Sequence, residues 1–145
     1  MNSKDNKPQN FALAFAAAWN RLERQLSNSL GAIRGISFAE YRLLHALQRA
    51  PDSQASRVEL AYAVGLTPSG VTRALRPLEK LGLVSTVKNQ RDARLAMAAL
   101  TSAGQELVND ASAVIGDSLA VMLKGSPKVA ARLESMIELL ENIGR

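Results

Sequence analysis

Residues 56–82 read SRVELAYAVGLTPSGVTRALRPLEKLG, and the spacing within this stretch predicts two short helices joined by a tight turn. Ser56 and Glu59 form an S-x-x-E capping box, so the first helix opens there and continues through Val58, Leu60, Ala61 and Val64 until Gly65. Thr67 and Pro68 open the second, with threonine as N-cap and proline at the first helical position. It runs to Leu81, where Gly82 supplies a left-handed stop. Two helices in this order have the helix-turn-helix layout.

The second helix divides by face. Val71, Ala74, Leu75, Leu78 and Leu81 follow core spacing, whereas Ser69, Thr72, Arg73 and Arg76 form a stripe on the other side without a carboxylate. Such a stripe suits the major groove of duplex DNA: a guanidinium can donate twice to guanine, and small hydroxyls reach base edges or phosphates. Backbone N–H groups at the helix start, near Pro68 to Gly70, add a dipole-favoured phosphate site. Taken alone, the helix reads about equally well as a solvated amphipathic one. Pro77 removes one backbone donor and should bend the axis beyond the reading end, which weakens the case for Arg76 as a phosphate contact.

Downstream, residues 83–87 are rich in β-branched side chains and read as a strand, and residues 95–100 can return as a second strand. The tip between them carries Lys88, Arg91 and Arg94, with Asp92 placed to orient an arginine by a charge-assisted hydrogen bond. A basic hairpin after a candidate recognition helix is the winged variant, in which arginine enters the adjacent minor groove. Thr101 then caps a long helix to about Leu123, and a final helix follows Pro127 to about Ile143.

Upstream, residues 1–9 read as a polar flexible tail. Phe11, Ala14, Phe15, Ala18, Leu22, Leu26 and Leu30 recur at helical steps and predict an amphipathic helix over 10–30, ending near Gly31. A second capping box, Ser37 to Glu40, opens a helix to Arg49, and Pro51 to Ser53 form a turn. The expected fold is therefore mainly α, six helices with a small β-hairpin wing after the fourth.

Composition narrows the function. The 145 residues fit one domain, and 47% of them are apolar. Cysteine is absent and His45 is the one histidine, so disulfides, thiolate zinc sites and cysteine nucleophiles are excluded and a histidine-rich metal site lacks ligands. Catalytic motifs for nucleotide, serine-nucleophile or zinc chemistry do not occur, so neither an enzyme nor a cofactor is expected. Glu134, Glu138 and Glu141 read as one solvated acidic stripe. No run of apolar residues would span a bilayer, and a cytoplasmic protein is expected. Residues 56–100 carry seven basic against three acidic side chains while residues 101–145 carry four against six, the distribution of a polyanion-binding segment on a neutral scaffold.

The stretch Thr67-Pro68-Ser69-Gly70-Val71-Thr72-Arg73, then Leu78-Glu79-Lys80-Leu81-Gly82-Leu83-Val84, then Asp92-Ala93-Arg94 before Leu100-Thr101-Ser102-Ala103-Gly104, resembles the MarR family of bacterial transcriptional regulators. The resemblance implies a homodimeric winged helix-turn-helix on a pseudo-palindromic duplex operator. Ser69, Thr72, Arg73 and Arg76 would touch the major groove, and Arg94, positioned by Asp92, the minor groove. Dimerisation would use the first and last helices, within 10–36 and 101–145, leaving 37–100 as the DNA-binding lobe of a single domain over 10–145. The implied activity is regulation of nearby genes, most simply repression, with release by a small aromatic or phenolic effector. Phe15, Trp19, Phe38, Tyr41 and His45 could line a pocket for such a ligand, although core packing is the preferred reading of these residues. The alternative function is a winged helix that contacts protein instead of specific DNA.

Overall fold

The computed structural model describes residues 6–145. Helix α1 spans Lys7–Arg34, α2 Phe38–Arg49, α3 Arg57–Val64, α4 Pro68–Lys80, α5 Ser102–Lys124, α6 Pro127–Ala130 and α7 Leu133–Asn142. Strands β1 (Gln54–Ser56), β2 (Val84–Lys88) and β3 (Ala96–Leu100) form an antiparallel sheet in the order β1-β3-β2. The mainly helical winged fold is as expected, but several boundaries differ.

The polar tail expected over 1–9 lies partly outside the described residues, and its last three residues are already helical. Pro8 stands in the first turn, where its missing donor costs nothing and its fixed φ favours the helix. At the other end α1 passes through Gly31 and stops at Gly35, which takes φ 71° and bonds back to Leu30. A glycine inside a helix costs only about 1 kcal/mol, too little to end a helix whose Leu26 and Leu30 are buried.

The described residues hold seven α-helices in place of the expected six, because the last predicted helix is split at Ala131 and Arg132. Neither glycine nor proline stands at that break. The sheet also has a third strand: Gln54, Ala55 and Ser56 pair with Ala99, Ala98 and Met97. This strand is only three residues long, and its last residue doubles as the cap of α3.

One buried cluster runs from Leu30 and Ile36 through Leu43, Leu44 and Leu47 to Leu75, Leu78, Val108 and Ala111. Leu43, Leu44 and Leu47 share one face of α2, and α2 packs against α3, α4 and α5. Deep burial of such side chains is worth about 1.5–3 kcal/mol each relative to exposure. Leu81, expected in this core, is instead 62% exposed. The chain leaves α4 through Gly82 at φ 73°, with Gly82 donating to the Glu79 carbonyl and Leu83 to that of Leu78. That is a Schellman closure, and it gives the buried place to Leu83.

Candidate nucleic-acid interface

Both predicted capping boxes are present. Ser56 accepts from the Glu59 amide at 3.1 Å while Glu59 accepts from Ser56 at 2.8 Å, which fixes where α3 begins. Thr67 caps α4 by accepting the Gly70 amide at 3.0 Å. A Cβ on Gly70 would stand 3.1 Å from that same threonine oxygen, so glycine keeps the cap uncrowded as well as leaving the backbone open. Thr67, Pro68 and Ser69 are all exposed at the helix start.

The stripe forms as the periodicity demands. Val71, Leu75 and Leu78 are fully buried, while Ser69, Arg73 and Arg76 are exposed and Thr72 is half-buried. The Thr72 hydroxyl donates to the Pro68 carbonyl at 3.1 Å, so its remaining capacity is to accept. Glu79, the one carboxylate on α4, is drawn off the stripe: it lies 3.8 Å from Arg57 and accepts from Thr86 of β2 at 3.3 Å. Positive charge on this face is therefore left undiluted. The helix continues through Pro77 to Lys80.

The wing extends from β2 and β3, and Lys88, Arg91, Asp92 and Arg94 are all exposed on it. Asp92 reaches Arg94 through its backbone, accepting the amide at 3.0 Å; among the described residues no ion pair joins the two side chains. Asn89, which sequence reasoning passed over, organises the tip. Its carboxamide oxygen accepts from the amides of Arg91 (2.8 Å) and Asp92 (3.3 Å). The signal was available, since asparagine at the start of a polar tip commonly bonds to amides two residues on.

Four of the five residues considered for an effector pocket form a ladder. Trp19 lies 5.8 Å from Phe38, Phe38 5.9 Å from Tyr41, and Tyr41 5.7 Å from His45, measured between ring centres. Arg42 sits 5.9 Å from the Trp19 ring centre, and the Tyr41 hydroxyl is 2.8 Å from that of Ser112 on α5. Phe15 is not part of it; it stacks on Phe11 instead, and both are exposed. Burial, then the neighbouring Arg49, lowers the His45 pKa from its ordinary value. Among the described residues, no three potential ligands gather as a metal site, and no helix is long and apolar enough to cross a membrane.

Residues 34–95 match the family model described as MarR family. The whole chain is similar to the transcriptional regulator BldR from Sulfolobus solfataricus, at 26% identity and TM-score 0.81, covering 99% of this chain and 100% of that one. It also shares its fold with Sco3205, a MarR family transcriptional regulator from Streptomyces coelicolor solved in complex with DNA, at 24% identity and TM-score 0.76 over 92% of this chain and 84% of that one. CouR from Rhodococcus jostii RHA1, solved bound to p-coumaroyl-CoA, has the same fold at 21% identity and TM-score 0.78, covering 92% of this chain and 90% of that one.

Proposed function

We propose that the chain is a MarR-family protein, a sequence-specific, dimeric regulator of transcription that binds duplex DNA. The observation that carries this reading is the face of α4. Ser69, Thr72, Arg73 and Arg76 stand there without a competing carboxylate, beside a wing whose backbone is fixed at Arg94. Arg73 is the base-reading residue, Arg76 and the α4 N-terminus hold phosphates, and Arg94 enters the minor groove.

Support for the dimer comes from apolar surface. Phe11, Leu13 and Phe15 on α1 and Leu133, Met136, Ile137, Leu139 and Leu140 on α7 are each at least 40% exposed. So much apolar surface at both ends of one chain is what a second copy would cover. Two recognition helices related by a two-fold axis read half-sites about one helical turn apart, so the operator is a pseudo-palindrome. Occupancy by this dimer represses nearby genes. The aromatic ladder, at the junction of α1, α2 and α5, is where an aromatic or phenolic effector would release it.

The test is a binding titration on the duplex upstream of the protein's own gene, run at several salt concentrations beside Arg73→Ala. Affinity should fall steeply with salt, and the variant should lose about 1–3 kcal/mol of discrimination between that duplex and a scrambled one. Binding indifferent to sequence and to Arg73 would return the winged helix to a role in protein contact.

A further inference from the structure

A groove of about 900 Å³ opens between the wing tip and the helices α2 and α3. This is near the upper end of the ~300–1,000 Å³ common for ligand sites. It lies on a different face of α2 from the aromatic ladder, since Ala46 and Ala50 line it and Tyr41 and His45 do not. Its cause is visible in the sequence: Ala46 on α2, Ala50 just after it, Ala55 on β1 and Ala63 on α3 each leave room a larger side chain would fill. Leu60 and Met97 complete an apolar lining.

The walls carry opposite charges. Asp52 lines one side, in a turn where Asp52 and Ser53 hold φ 54° and 53°. Arg91 lines the other side, its backbone amide held by Asn89, which also donates to the Met97 sulfur. Among the described residues the ion pairs are Arg34–Asp110 and Arg57–Glu79, so neither Asp52 nor Arg91 is neutralised by a neighbour. Glu59, also on the wall, is occupied as the cap of α3.

We propose that this groove binds a small zwitterion with an apolar body, such as a dipeptide of aliphatic residues with free termini. The ligand carboxylate pairs with Arg91, its ammonium with Asp52, and its side chains lie on the alanines. Such a ligand ties the wing tip to α3 and draws Arg91 back from DNA. That consequence, unlike the binding itself, rests on the function proposed above. A ligand moves the equilibrium only by its differential affinity for the two wing positions, so effects on DNA and on the ligand must be reciprocal.

The experiment titrates leucyl-leucine, and its N-acetyl and C-amide forms, into the full chain by calorimetry and amide-resolved NMR. Saturable binding is expected, with shifts confined to residues 46–63 and 89–97. Each capped form, and each of the variants Asp52→Asn and Ala63→Leu, should weaken it roughly tenfold or more, the scale of one lost charged hydrogen bond or a filled site. Ala63 is exposed on a helix, so leucine there leaves folding intact. Absence of saturable binding to millimolar concentration would overturn the proposal, as would binding that survives both caps and Ala63→Leu. In a separate DNA titration, saturating dipeptide should change the affinity of the native chain and leave that of Ala63→Leu unchanged. No effect on the native chain would overturn the coupling, and failure to bind DNA at all would sink the proposed function while the dipeptide titration still reads the groove.

Discussion

The Thr101 hydroxyl donates to the Gly82 carbonyl at 2.6 Å, across a separation of nineteen residues. The same oxygen accepts the Gly104 amide at 3.0 Å and so caps α5, while the Thr101 amide donates to the Leu83 carbonyl at 3.1 Å. The exit of α4 is thereby locked to the start of α5.

Thr101→Val keeps the shape of the side chain and removes both of its hydrogen bonds. The loss of a cap and of one further bond should cost about 1–3 kcal/mol in urea denaturation at fixed protein concentration. A change below about 0.5 kcal/mol would mean that α5 starts without help from Thr101.

Gly104 and Gly116 both lie in α5 and should respond to alanine with opposite signs. A Cβ at Gly104 would collide with the Leu83 carbonyl oxygen and the Leu100 side chain, whereas nothing stands within 4 Å of one at Gly116. Gly104→Ala should therefore destabilise by about 1–3 kcal/mol through overpacking. Gly116→Ala should stabilise by about 0.4–1 kcal/mol, through the smaller freedom of the unfolded chain. Melting curves of the two variants in parallel decide it.

This contrast also marks what could be read without coordinates. Ser56, Thr67 and Thr101 announced their helices because a cap is a local event, encoded within four residues. The faces of α4 followed from period alone, and burial of Val71, Leu75 and Leu78 agrees with it. Leu81 did not follow, because a Schellman closure hands the buried place to the residue two positions on. Strand β1 and the clasp of Thr101 on Gly82 depend on partners more than fifteen residues away, which no local pattern records. Of the candidate site, the residue types and their stripe were legible. The removal of Glu79 by Arg57 and Thr86, and the role of Asn89, were tertiary facts.

His45 should make stability fall as pH drops below neutrality. Burial and Arg49 lower its pKa below the ordinary 6.5, so the unfolded chain binds a proton more readily than the folded one. Its contribution is fully present above about pH 6.5 and is lost as pH falls through the lowered folded value. Urea midpoints measured from about pH 7.5 down to 5.5 should fall, and His45→Gln should flatten that part of the curve. An unchanged slope in the variant would assign the pH dependence to other groups.

Asp92 allows charge and geometry to be separated on the wing. It is exposed, and its removal raises the positive charge of a surface proposed to meet phosphate, so a purely coulombic account requires Asp92→Ala to bind operator more tightly. The structure gives its carboxylate a different task, accepting the Arg94 amide at 3.0 Å and so holding the tip backbone from which Arg94 projects. On that account the variant binds more weakly, by about 1 kcal/mol or roughly fivefold, as expected for one charge-assisted hydrogen bond at an exposed site. Arg94→Ala should then show little further loss when combined with Asp92→Ala, because a misplaced arginine and an absent one are nearly equivalent. The double-mutant cycle measures this coupling directly, and independent, additive effects would show that Asp92 acts on the operator by its charge alone.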